Sequence, residues 1–429
     1  MNYLDFVISA QKFGQSRGLT SICSAHPVVL EAAFRDGLAR NTPLLIEATC
    51  NQVNQFGGYT GLTPADFVGY VAGIADRVGF PRQNLLLGGD HLGPLVWAGE
   101  PASVAMDKAK TLVRDYVQAG FSKVHLDCSM ACVDDKDFTV ELIAERAAQL
   151  AQAAESAAHE APLLNRNLRY VIGSEVPPAG GAKAGETHLT VTDSADAART
   201  IALTRRAFSA VGLDSAWERV IALVVQPGVE FGDESVHEYD RLAAAGLARF
   251  IETVPGLVYE AHSTDYQTRA ALRALVRDHF GILKVGPGLT FAFREAVFAL
   301  AEIEESLCKS PSHIRETLEA AMLSNPLHWQ KHYSGDAQTQ KFARSFSFSD
   351  RIRYYWNTPE TQHAFEQLML NLGEKPLPLA LLSQYLPKQY QKIRSGELQN
   401  QARLLLLGRV MEVLEDYAFA SGGNCGDAL

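Results

Sequence analysis

With 429 residues, 47% of them hydrophobic, and a formal charge of −10, the chain can bury a large core and exceeds what one barrel of about 250 residues needs. The acidic balance argues against nucleic acid as the main partner, because phosphate backbones recruit basic faces. No run approaches the roughly 18 apolar residues of a membrane-spanning helix, and the opening MNYLDFVISAQKFGQ lacks the basic flank and apolar core of a secretory signal.

An amphipathic helix is expected from Tyr3 to Gly18, followed by a first strand, TSICSAH (Thr20 to His26), and a helix opened by Pro27 and carrying Val28, Leu30 and Ala33. LLIEATC (Leu44 to Cys50) reads as a second strand. It runs into the polar, glycine-rich segment Asn51 to Gly61, a long loop of the kind in which function concentrates. Thr63-Pro64 begins the next helix, with proline at its first position. The third strand is LLLGGDHLGP (Leu85 to Pro94). Its two glycines, Gly88 and Gly89, are expected to turn the backbone so that Asp90 and His91 both emerge at the strand end, which strict alternation would forbid. A helix over Ala105 to Gly120 leads to a fourth strand, KVHLDCS (Lys123 to Ser129), and an alanine-rich helix spans Val140 to His159. A fifth strand (Tyr170 to Pro177) ends on Glu175, a sixth (Val220 to Gly228) on Gln226, a seventh (Val258 to Asp265) on His262 and Asp265, and an eighth (Ile282 to Thr290) on Lys284 and a glycine-rich turn. Beyond Thr290 the pattern is helical to Tyr417 and includes SFSFSDRIRYYW, Ser345 to Trp356; the last residues, ASGGNCGDAL, are expected to be loose.

Eight short apolar runs separated by helical patterns predict an α/β chain folded as a (β/α)8 TIM barrel over residues 1–295, with a helical extension packed on it over residues 296–429. A doubly wound open sheet shares the alternation. Polar residues at the end of every strand fit the barrel better, because that fold works at the C-terminal mouth of its strands. Six cysteines without a CxxC pair indicate reduced thiols in a cytoplasm; Cys128 and Cys132 are read as packing residues.

Taken together, the strand ends offer His91, Glu175, Gln226 and His262 as a divalent-metal shell suited to zinc or manganese. The plainer readings are a histidine bonded to a carbonyl at position 91 and a turn brace at Gln226. Asp90, Asp127, Glu47, Glu260 and Asp265 supply carboxylates for proton transfer or for orienting ligands. Glu260 shares a face with His262, as His125 does with Asp127. Tyr59 is a further candidate for proton transfer. Asn51, Gln55, Ser129 and Asp265 are candidates for contacting substrate. Lys284 with Gly286, Gly288 and Thr290 forms a candidate phosphate anchor at a helix N-terminus. Arg344, Arg351 and Arg353 either reach the same region or form a solvated basic face. The chain has no GxxxxGK[ST] phosphate loop, no GxSxG elbow and no GxGxxG fingerprint in a strand–helix context.

The segments IEATCNQVNQFGGYTGLTPADF, LGGDHLGP, AGFSKVHLDCSM, VIGSEVP, VVQPGVEF, VYEAHSTDYQT, ILKVGPGLTFAFREA, SDRIRYYW and SQYLPKQY resemble the tagatose-bisphosphate aldolase accessory-subunit family, the GatZ/KbaZ type, along nearly the whole chain. The resemblance implies a TIM barrel in galactitol, N-acetylgalactosamine or tagatose catabolism. The chain would then be either a partner that supports a separate class II aldolase subunit or a metal-dependent 4-epimerase of tagatose 6-phosphate and fructose 6-phosphate. A more distant similarity to class II aldolases matches their Asp-His pair with Asp90-His91 and their later metal histidine with His262. Their middle histidine has no evident counterpart; Gln226 stands closest, and Glu175 is expected to fill the gap. The C4 hydrogen of a 2-ketose is not acidic, so inversion there calls for retro-aldol cleavage of C3–C4. That step needs a metal, acid/bases and a phosphate anchor, and the strand ends hold candidates for all three. The epimerase is therefore the favoured expectation, with a phosphorylated ketohexose as substrate and a homo-oligomer as the assembly.

Overall fold

The computed structural model describes residues 2–161, 168–174 and 189–422. Eight parallel strands close into a barrel: Leu19–Ile22, Leu44–Thr49, Leu85–Leu92, Lys123–Leu126, Arg169–Gly173, Val220–Val224, Val258–Ala261 and Phe280–Val285. The first strand pairs with the eighth (Leu19 opposite Ile282) and with the second (Ser21 opposite Leu45), which closes the ring. Every expected strand exists, and most are shorter at their C-terminal ends than the apolar-to-polar runs suggested. Asp90, His91, Glu260 and Lys284 stay inside their strands, while Asp127, Gln226, His262 and Asp265 fall in the loops beyond them.

Helices cover the outside. Pro27–Arg40, Pro64–Val78, Ala102–Ala119 and Val140–Glu160 follow the first four strands. Thr63 caps its helix reciprocally with Asp66, and Gly120 ends another in the left-handed conformation. The first helix is only Tyr3–Lys12, because the chain leaves helical geometry before Gly14 at φ +76°. Its Leu4, Val7 and Ile8 join Leu19, Leu45, Val171, Ile221, Val258 and Ile282 in a second apolar cluster that fills the N-terminal end of the barrel, and its Asp5 is pinned by Arg169.

Side-chain alternation carries this inner face upward in layers. Two residues past Leu45 comes Glu47; two past Val258 come Glu260 and then His262; two past Ile282 comes Lys284. An apolar layer is thus followed by an ionic one and then by the open end.

Pro287–Leu307 is one continuous helix, so residues 295 and 296 lie in the middle of a single element. The later helices, among them Ile314–Ser324, Pro359–Leu372 and Ala402–Ala420, pack on the barrel, and the core runs without a break from Phe34 and Phe67 to Leu405 and Val410. Tyr417, from the last helix, donates to the carbonyl of Thr264 at 2.8 Å, beside the seventh strand. Among the described residues no helix is long and apolar enough to cross a membrane, and Cys23, Cys50, Cys128, Cys132 and Cys308 are free thiols.

Candidate active site

At the C-terminal mouth lies a cleft of about 310 Å³, lined among others by Asp90, His91, Asp127, His262 and Lys284. Asp90 and His91 both face it. The register of the third strand against the fourth slips between Gly89 and Leu92, and His91 adopts φ +48°. The irregularity that turns two consecutive side chains inward therefore sits at His91 and not at the glycines. Those glycines make room instead. A Cβ on Gly88 would stand 2.7 Å from Glu47 Cγ, and one on Gly89 would stand 2.6 Å from Leu92 Cδ1 and 2.7 Å from Tyr116 Cδ1.

From the floor of the cleft downward runs a chain of buried ion pairs. Lys123 Nζ lies 2.6 Å from Glu47 Oε1 and 2.7 Å from Glu260 Oε2, and all three side chains are 0% exposed. Lys284 Nζ bridges Glu47 Oε2 at 2.5 Å and Asp90 Oδ2 at 3.0 Å, and lies 3.8 Å from Glu260 Oε1. Burial opposes charge on both lysines, but the facing carboxylates outweigh it and hold their pKa values above the ordinary range. Glu47 is consumed in these pairs and does not line the cleft.

Three imidazoles meet above this layer. The ring centres of His91, His125 and His262 lie 4.8–5.3 Å apart. His125 Nδ1 is 3.0 Å from Asp90 Oδ1, while its Nε2 donates to the Gly173 carbonyl at 2.8 Å. His262 Nε2 is 3.1 Å from Glu260 Oε1 and 3.9 Å from Asp90 Oδ1. His91 Nδ1 is held by Asp127 Oδ2 at 2.7 Å, and Asp127 Oδ1 accepts from the Ser129 amide at 3.0 Å. Burial would push the Asp90 carboxyl up; His91, Lys284, His262 and His125 together hold it well below the usual carboxylate range. Asp127 is likewise held down, against burial, chiefly by its bond to His91.

The donor set fits a divalent cation. One ligand atom from each of Asp90, His125, Glu260 and His262 lies within 4.8 Å of the others, and all four residues are buried. Four carboxylates (Glu47, Asp90, Asp127, Glu260) face two ammonium groups and sit among three imidazoles, a mixed oxygen and nitrogen donor set of the kind divalent cations take. His125 was absent from the expected ligand set, although strand alternation placed it on one face with Lys123 and Asp127. Gln226 stays outside the cluster. Its carboxamide oxygen accepts from the amides of Gly228 and Val229 at 2.8 and 3.1 Å, so it braces a turn. Glu175 lies outside the described residues.

The expected phosphate anchor is built differently. Asp265 Oδ1 occupies the helix N-terminus, accepting from Gly286 N at 2.9 Å and Gly288 N at 2.7 Å. Thr290 Oγ1 donates to Asp350 Oδ2 at 2.5 Å, and Lys284 belongs to the ion-pair layer. These groups are therefore committed within the protein, and the anchor expected at Lys284, Gly286, Gly288 and Thr290 is not open to an anion. Asp265 itself is raised to about 6 by burial, against the pull of the two amides. Asn51, Tyr59 and Ser129 line the cleft; Tyr59 is 38% exposed and meets Tyr354 edge to face at 4.8 Å. Gln55 points away and ties its loop to the Lys108 carbonyl at 3.0 Å. Of the three arginines, Arg351 and Arg353 reach the cleft, and Arg344 is bonded to Glu319 elsewhere. His26, which the sequence did not single out, also lines the cleft, and burial lowers its pKa to about 3.

A probable tagatose 6 phosphate kinase from Sinorhizobium meliloti 1021 shares this structure with a TM-score of 0.86 and 46% identity, over 94% of this chain and 100% of that one. The YdjI aldolase of Escherichia coli K12 matches at 10% identity and a TM-score of 0.42, over 86% of this chain and 95% of that one. The Campylobacter jejuni fructose-bisphosphate aldolase matches at 11% and 0.45, over 85% and 89%. Residues 4–422 match the family model described as D-tagatose-1,6-bisphosphate aldolase subunit GatZ/KbaZ-like. With that match over nearly its whole length, the chain belongs to the D-tagatose-1,6-bisphosphate aldolase subunit GatZ/KbaZ-like family.

Proposed function

We propose that the chain is a metal-dependent ketohexose-6-phosphate 4-epimerase that interconverts tagatose 6-phosphate and fructose 6-phosphate by retro-aldol and aldol steps. The observation that carries the reading is the convergence of Asp90, His125, Glu260 and His262, with Asp90, His262 and the neighbouring His91 lining the cleft and His125 and Glu260 buried behind them. A subunit that only scaffolds a partner has no physical need for it.

His125, Glu260 and His262 would hold a divalent ion that polarises the ketose C2 carbonyl, leaving Asp90 beside it to move a proton. The remaining work belongs to the chain. Asp90 is ionised across the neutral range, because Lys284 and the imidazoles stabilise its charge. It can therefore accept the C4 hydroxyl proton as the C3–C4 bond breaks and return it after the aldehyde has turned its other face. Asp127 fixes the ring of His91. Glu47 lies outside the cleft lining and keeps Lys284 charged and in place, while Lys123 anchors Glu47 from the other side.

The alternative, a non-catalytic subunit supporting a class II aldolase, is favoured by the family description alone. A kinase reading finds no GxxxxGK[ST] loop in the chain. The test is to strip the purified chain of metal, restore zinc or manganese, and follow tagatose 6-phosphate and fructose 6-phosphate. Metal-restored interconversion is expected, with kcat reduced about 10²-fold or more in Asp90→Asn and His262→Ala variants that keep their fold. Absence of turnover with every added metal, together with activation of a partner aldolase on mixing, would replace this reading with the accessory one.

A further inference from the structure

One wall of the cleft comes from outside the barrel. The short helical turn Arg351–Tyr355 brings Arg351, Arg353 and Tyr354 to the cleft, facing Ser24 and His26 from the end of the first strand and Tyr59 from the loop after the second. The two arginines differ from the other cations of the site. Lys123 and Lys284 are both matched by carboxylates. Arg353 donates only to neutral oxygens: from Nη1 to the carbonyls of Ser349 (2.5 Å) and Asp350 (3.0 Å), and from Nη2 to Tyr354 Oη at 2.8 Å. Its guanidinium also lies 4.4 Å from the centre of the Tyr354 ring. Arg351 donates from Nη1 to the His328 carbonyl at 3.0 Å, and its buried Nε has no partner. Among the described residues neither guanidinium has a carboxylate within ion-pair distance, whereas Arg344, a few residues earlier, is bonded to both oxygens of Glu319.

Two guanidinium groups hydrogen-bonded to neutral oxygens at the edge of a cleft, with Asp350 and Asp265 near Arg353 and Asp233 near Arg351 but none at ion-pair distance, present incompletely matched charge to whatever enters it. Planar guanidinium donors match the oxygens of a phosphate monoester in a way a point charge does not. The competing anion position, the helix N-terminus at Gly286 and Gly288, is filled by the protein's own Asp265. We propose that Arg351 and Arg353 form the subsite for the phosphate monoester of the ligand, so that the C-terminal region supplies recognition while the barrel supplies chemistry. The inference rests on reading the cleft as a sugar-phosphate site, and it names the residues that choose a phosphorylated ketose over a free one.

The test is a binding measurement on the full chain that needs no turnover. Inorganic phosphate is titrated into the wild type, Arg351→Gln, Arg353→Gln and the exposed control Arg35→Gln, by calorimetry at low ionic strength. Tagatose 6-phosphate and unphosphorylated tagatose are then used as competitors. Phosphate should bind the wild type and Arg35→Gln equally and be weakened about tenfold or more in each cleft variant. Tagatose 6-phosphate should displace it, and tagatose should not. Arg353→Gln also loses bonds to two backbone carbonyls and can perturb the local fold, so Arg351→Gln, which loses one, and the charge-retaining Arg353→Lys accompany it. Unchanged phosphate affinity in Arg351→Gln and Arg353→Gln, or no binding to the wild type at about 10 mM phosphate, overturns the subsite. The two readings fail separately. Arginine-dependent phosphate binding without interconversion removes the epimerase and leaves the subsite. Interconversion with an unchanged KM for tagatose 6-phosphate in both variants does the reverse.

Discussion

His91 sits in the left-handed region, where a non-glycine side chain costs about 1 kcal/mol or more, and its bond to Asp127 offsets part of that strain. Gly88 is constrained from another side, since any Cβ there meets Glu47 within 2.7 Å. Gly88→Ala should lower stability by about 1–3 kcal/mol, read by denaturant unfolding. It should also reduce turnover, because displacing Glu47 releases Lys284 from beside Asp90. Asp350 gives a pH signature. Burial raises its carboxyl to about 7, against the pull of Arg353, Thr290 and Arg294 and with the push of Asp265. The ordinary value of about 4 applies to the unfolded chain. The folded state therefore holds this proton longer, and the stability it contributes is complete below about pH 4 and lost as pH rises through 7. Asp350→Asn keeps an acceptor for Thr290 and removes the ionisation. Between pH 5 and 8 its melting temperature should hold where that of the wild type falls, by an amount corresponding to about 3 kcal/mol at most. Parallel pH profiles for the two proteins would refute the assignment.

At the scale of elements, the strands were legible because each is a short apolar run with a polar end, and the helix starts because Thr63-Pro64 and Pro27 announce them. His125 was legible in principle, since residues 123, 125 and 127 alternate onto one face. It went unassigned because nothing local says that strand four pairs with strand three and faces strand seven across the barrel. The same limit hid the layer below, where Glu47 finds Lys284 across 237 residues of sequence. The glycine-rich turn after the eighth strand misled for a different reason. Its sequence suits an anion, and the anion it receives is the side chain of Asp265. The ionic layer predicts its own mutational behaviour. Lys123→Met should leave Glu47 and Glu260 short of a buried counter-charge and cost about 3–5 kcal/mol, measured by urea unfolding, although the residue is far from solvent and substrate.

On the scale of the whole molecule, barrel and C-terminal helices share one core. The last helix, Ala402–Ala420, buries Leu405, Leu406, Val410 and Tyr417 against the outer helices of the barrel. A chain ending after Leu307 should therefore expose an apolar face and aggregate or lose cooperative melting, as size-exclusion chromatography and calorimetry would show. A compact, cooperatively folded fragment would contradict the shared core. The ionic layer has one further consequence, for the order of assembly. Its pairs join strands from the two halves of the chain: Glu47, Asp90 and Lys123 from the first half, Glu260 and Lys284 from the second. Until the ring shuts, each of these groups is better off in water, and loop-closure entropy opposes bringing them together. Ring closure and the setting of Asp90 should therefore coincide late in folding, so that Lys123→Met speeds unfolding more than it slows folding in stopped-flow measurements.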